Sequence, residues 1–247
     1  MSRRTAAWLA WSLWALCVLI IVSGWLVAFL IRHEVASFLG IIFYVLLLAF
    51  PTIGALVASR RPENPIGWLL CVASLLIASQ TLALWYARYG LFANPGGLPG
   101  VQIMAWFSEW IGIPGVLLIA ALLFLYFPEG RPLSRRWGLV VWGAVIGSVL
   151  AALGDALMPG RLEVHPHVTN PVGVGGAVGG VVPASLVWGV LNTAGIWLLL
   201  GCCLAAAFSL VLRYRRAEGE ERQQIKWFAY AALVMGIGSL AAFGVYL

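Results

Sequence analysis

Five polar residues stand where polar chemistry is costly. Gln80, Arg88, Glu109, Asp155 and Asn192 each fall inside, or at the end of, a long apolar stretch. Charged and amide groups removed from water are held by partners or face a water-filled space, because an unpaired charge in hydrocarbon is strongly disfavoured. Two carboxylates with one guanidinium have the makings of a site for a small charged ligand or for protons, with Glu109 or Asp155 paired to Arg88. Glu109 is the sharpest of the five. It lies eight residues into its stretch, about 12 Å deep at about 1.5 Å per residue, where reaching the interface is hardest. The competing reading is structural: hydrogen bonds between helices, and helix-end side chains reaching out to the headgroups.

Other chemistry is missing. The chain has no Gly-x-Ser-x-Gly elbow, no His-Glu-x-x-His pair and no Walker loop. Asp155 is the single aspartate, which excludes a paired-aspartate intramembrane protease. The four cysteines, Cys17, Cys71, Cys202 and Cys203, lie inside apolar stretches and lack metal-ligand spacing. The longest polar segment, about 159–182, carries Arg161, Glu163, His165 and His167 ahead of a glycine run beginning at Gly173. Three ligand types in one flexible loop make a weak metal site, so the segment reads as a solvated connector. The expectation is no catalytic residue, no metal and no cofactor in this chain, and no enzyme acting by itself.

The elements that must position these residues are seven apolar spans, at about 6–31, 36–58, 66–87, 101–127, 137–158, 183–212 and 227–247. Each reaches or exceeds the roughly 20 residues that cross about 30 Å of hydrocarbon as a helix. Backbone amides in lipid must bond within their own segment, so helices are expected rather than strands. At 62% hydrophobic and 10% charged, residues 1–247 read as one all-α transmembrane domain, a bundle of seven transmembrane helices. Twelve of the 15 Lys and Arg fall in alternate gaps, leaving only Arg32, Arg88 and Arg161 on the other side. That asymmetry fits the positive-inside rule, with the N-terminus cytoplasmic and the C-terminus outside. It also turns the net charge of +6 into a topology signal. The lipid bilayer is the expected partner, with anionic headgroups at the basic gaps, and nucleic acid is excluded. Gly143-xxx-Gly147 fits close helix packing, and Pro51 and Pro114 fit kinks. Trp8, Trp11, Trp68, Trp85, Trp106, Trp137 and Trp227 fit an interfacial belt, with Trp106 and Trp110 as a candidate aromatic cage.

Three basic gaps carry recognisable text: Arg60-Arg-Pro-Glu-Asn-Pro-Ile-Gly-Trp68, Phe127-Pro-Glu-Gly-Arg-Pro-Leu-Ser-Arg-Arg-Trp137 and Glu221-Arg-Gln-Gln-Ile-Lys-Trp-Phe-Ala-Tyr230. On the other side Asn170-Pro-Val-Gly173 repeats the Asn-Pro-x-Gly tetrad of 64–67. Together, over about 40–240, they resemble the multi-pass N-terminal membrane region of bacterial sensor histidine kinases, chiefly of actinobacterial and Chloroflexi type. The resemblance implies a sensory or signal-transmitting module in the bacterial cytoplasmic membrane, a homo-dimer or partner membrane helices and a kinase as its associates, and Arg213–Lys226 as its output. It carries over no kinase activity, because the phosphorylated His and the nucleotide boxes of that family are absent here. The apolar Gly244-Val-Tyr-Leu247 fits a stand-alone chain or a piece of a longer one. The alternatives are a small transporter or channel, hinted at by the two tetrads, and an accessory membrane subunit.

Overall fold

A computed structural model describes residues 2–32, 38–178 and 182–230. His33 and Glu34, most of the seventh span (231–247) and the glycines 179–180 lie outside the described residues. The rest is helical: α1 (Arg3–Arg32), α2 (Phe38–Arg60), α3 (Pro65–Arg88), α4 (Val101–Trp110), α5 (Gly112–Tyr126), α6 (Gly138–Ala156), α7 (Ala184–Arg216) and α8, helical over 219–230. A two-residue hairpin, β1 (Ala177–Val178) against β2 (Val182–Pro183), precedes α7.

Among the described residues, five helical segments are long and apolar enough to cross a membrane: Arg3–Ile31, Pro65–Ala93, Val101–Tyr126, Arg135–Ala156 and Ala184–Arg216. Burial runs opposite to that of a water-soluble protein. The buried positions are small, including Ala10, Ala55, Ala58, Ala78, Ala87, Ala144, Ala151 and Ala206. The exposed ones are large, with Leu139, Leu204, Trp142 and Trp197 each at least two-thirds exposed. Lipid tails are as apolar as leucine, so helices in a membrane associate by close backbone approach at small residues. The molecule has that pattern throughout, which points to membrane association.

The expected glycine contact is present, and it joins α6 to α7, the most extensively packed helix pair. A Cβ on Gly147 would lie 2.9 Å from the Gly195 carbonyl oxygen and 3.0 Å from the Leu199 nitrogen. One on Gly143 would lie 2.9 Å from Cys202 Sγ. Backbone touches backbone along this seam, and no larger residue fits.

The fourth span is interrupted where the sequence predicts only a kink. Helix α4 ends at Trp110 and α5 restarts at Gly112, with Pro114 in its first turn. Proline has no N–H for the Trp110 carbonyl, and the break at Ile111 puts Pro114 in the first turn of α5, where no such donor is needed.

The helices divide into α1–α3 and α4–α7, in contact through α3 against α4 and α5. The starts of α1 and α3 meet the end of α2 through Ala10, Trp14, Ala55, Ala58 and Trp68. One end of the bundle thus carries Arg3, Arg4, Arg60, Arg61, the 128–137 turn and the α7–α8 junction. This is the basic end. The opposite end carries Arg88, the 94–100 turn and the 157–183 segment.

Candidate functional site

At the opposite end, residues 157–178 form a folded cap rather than the solvated connector the composition predicts. Leu162 N–H donates to the Val168 carbonyl at 3.0 Å, Val168 N–H to His165 at 2.8 Å, and Asn170 N–H to Gly160 at 2.8 Å. Leu162 and Val168 then bury against Ala87 of α3 and Ala105 of α4. His165 goes under with them and is only 3% exposed.

The polar residues of this end are the cap's fastenings. Glu109 Oε1 accepts the Val164 backbone N–H at 2.8 Å. His165 Nε2 lies 3.4 Å from Ser108 Oγ. The Ser108 proton goes to the Ala105 carbonyl at 2.8 Å, so Nε2–H is the donor in that pair. Burial first, and the Arg88 guanidinium second, hold the His165 imidazole below its ordinary value. Asn170 Nδ2 donates to the Ala156 and Met158 carbonyls at 3.0 and 2.8 Å, while its Oδ1 accepts Val172 N–H at 2.9 Å. Trp106 Nε1 donates to the same Ala156 carbonyl at 2.8 Å. The last carbonyls of α6 have no partner along the helix, and Asn170 and Trp106 supply one.

The five polar residues singled out from the sequence are not brought into one pocket. Gln80 Nε2 donates to the Ser108 carbonyl at 3.2 Å, beside the α4–α5 break. Asn192 Nδ2 donates to the Ala151 carbonyl at 2.9 Å, across the α6–α7 seam. The Arg88 guanidinium lies 5.4 Å over the Trp85 ring centroid. Asp155 closes α6, half-buried and an electrostatic neighbour of Glu109. Among the described residues, no ion pair joins Arg88 to Glu109 or Asp155. His165 and His167 do not converge either, since the His167 ring meets Phe92 edge-on at 6.0 Å. Trp106 and Trp110 do lie together, 5.5 Å between centroids and tilted by 52°.

The basic end has a centre of its own. Arg213 of α7 is 7% exposed. Its guanidinium donates to the Leu125 carbonyl at 2.8 Å and to the Arg131 carbonyl. Leu125 sits in the last turn of α5, so a cation meets the negative end of that helix dipole. Phe127 stacks on Phe228 of α8 at 4.1 Å and 13°, with Phe124 edge-on to the same ring at 5.7 Å. Asn64 Oδ1 caps α3 by accepting Ile66 N–H at 3.0 Å. A Cβ on Gly130, at φ +77°, would lie 2.8 Å from that Oδ1. The three basic-gap segments 60–68, 127–137 and 221–230 are therefore linked through the Asn64–Gly130 and Phe127–Phe228 contacts, and Arg213 of α7 holds the middle one through the Arg131 carbonyl.

Arg213 was within reach of sequence reasoning. Cys202, Ala206, Ser209 and Ala217 recur at steps of three and four, and that period places Arg213 on the same buried face. His165, Asn170 and Ser108 carry no comparable signal.

In class this is an all-helical protein with membrane-length apolar helices. No protein-family model matches the chain, and no curated protein and no solved structure matches it.

Proposed function

We propose that this chain is a membrane-embedded sensory or signal-transmitting module. It crosses the bacterial cytoplasmic membrane seven times, with the basic end in the cytosol and the 157–178 cap outside. The observation that carries the reading is the linkage of 60–68, 127–137 and 221–230 at one end. These are the segments on which the resemblance to sensor histidine kinase membrane regions rests. Scattered loops need no mutual contact, whereas an output surface is built from several helices held in register. The cap, pinned to α3, α4 and α6, supports the input role, because it leads along the chain into α7, whose last turn carries Arg213. The partners in this reading are the bilayer, a second copy or other membrane helices, and a kinase.

The transporter reading keeps one observation in its favour, the α4–α5 break with the Gln80 amide beside it. Two experiments on the full chain separate the classes. A photo-crosslinking residue at exposed Arg215 or Lys226 is expected to capture a two-component histidine kinase in cells, and Glu109→Gln to change that kinase's phosphorylation. Solute or ion flux in proteoliposomes that Glu109→Gln or Gln80→Leu abolishes would overturn the signalling reading.

A further inference from the structure

The α7–α8 junction holds a groove lined by Tyr214, Gly219, Arg222, Gln223, Lys226, Trp227 and Tyr230. We infer that this groove binds the phosphodiester headgroup of an anionic phospholipid. The inference needs only the membrane as surroundings and stands whether or not the chain signals.

Place comes first. Helix α7 has 33 residues and runs about 50 Å, well beyond the roughly 30 Å hydrocarbon layer. Its last turns, with exposed Arg215 and Arg216, therefore reach headgroup level. Gly219, at φ +56°, reverses the chain there into α8. Trp227 and Tyr230 are 67% and 53% exposed, amphipathic rings of the kind that settle among headgroups.

Charge comes second. Arg222 and Lys226 are four apart on α8 and so share a face. The Arg222 guanidinium is held 4.9 Å over the Tyr214 ring centroid, on the wall of the groove. Among the described residues no carboxylate forms an ion pair with either cation, and Glu218, Glu220 and Glu221 do not line the groove. Two cations on one wall of the groove, one of them a planar fork, suit a phosphate oxygen pair.

Room comes third. The groove offers about 750 Å³, within the range of small-ligand sites. An inorganic phosphate would use the two cations and leave the aromatic lining idle. A lipid uses both, because its glycerol and upper acyl carbons lie along Trp227 and Tyr230.

The test uses the full chain in neutral-headgroup micelles, titrated with short-chain phosphatidylglycerol, phosphatidylcholine or inorganic phosphate. Arg222→Gln with Lys226→Gln is expected to weaken phosphatidylglycerol binding about 30-fold, from about fivefold per headgroup-level cation. Arg135→Gln with Arg136→Gln removes the same charge elsewhere on the basic end and is expected to change binding less than about threefold. Arg222→Lys with Lys226→Arg keeps both charges and is expected to retain binding, which separates loss of the site from loss of the fold. Equal weakening by the two glutamine pairs, or phosphatidylcholine binding as tightly, would overturn the headgroup site. Inorganic phosphate binding as tightly as the lipid would reassign the groove to a free anion and overturn the lipid.

Discussion

Both ends of this bundle face the same difficulty and answer it with different chemistry. A helix that stops leaves carbonyl groups with no partner along its own chain. At the 157–178 end, the Ala156 carbonyl of α6 is met by two neutral donors, the Asn170 amide and the Trp106 indole. At the basic end, the Leu125 carbonyl of α5 is met by the charged fork of Arg213, which also holds the Arg131 carbonyl. Neutral donors can be withdrawn and replaced by water at modest cost. A buried guanidinium bonded to two carbonyls cannot, because hydrogen bonds to charged groups are the stronger kind. The comparison makes the basic end the fixed one and the capped end the adjustable one.

The largest break in that comparison is Arg213→Met. It removes two charge-assisted hydrogen bonds and is expected to cost about 3–5 kcal/mol in denaturant unfolding of the micelle-embedded chain. A loss under about 1 kcal/mol would mean that the guanidinium does not hold the two carbonyls. Asn170→Ala comes next at about 2 kcal/mol, since three neutral bonds go but water reaches the carbonyls left behind. Its effect is expected to be local, with faster hydrogen exchange across 159–176 and no change at 213–228.

Acid distinguishes the ends further. The folded state holds His165 below the ordinary value of 6.5, so the unfolded cap takes up the proton first as pH falls. The cap's stability from this residue is complete above about 6.5 and drains away below it. Exchange protection of 159–176 should therefore drop as pH falls below about 6.5. His165→Gln should abolish that drop, whereas a drop that persists would show that His165 does not carry it. The smallest expected effect is Gln80→Leu, about 0.6 kcal/mol for one interhelical hydrogen bond.

The helical character and five of the seven expected membrane-length helices were legible among the described residues, because hydropathy and the roughly 20-residue crossing length are one-dimensional quantities. So was the seam at Gly143 and Gly147, since a small residue every fourth position lies on one helix face. The break before Pro114 was visible as a proline, but its place at Ile111 depends on which carbonyl loses its donor. The cap was not legible. Leu162, His165, Val168 and Asn170 are too irregularly spaced to mark a buried face, and their burial follows from contacts with Ala87, Ala105 and Ser108, distant in sequence. The polar residues of the spans were visible as anomalies, whereas the partners of Gln80, Glu109 and Asn192 are backbone groups, which every residue supplies and no sequence pattern singles out.

The glycine seam has a mechanical corollary. At Gly147 and Gly195 an added Cβ would run into the facing backbone, so a larger residue at either position would push α6 and α7 apart. The seam thus sets how closely the two helices lie, and Arg213 then ties the far end of α7 to the neighbouring turn.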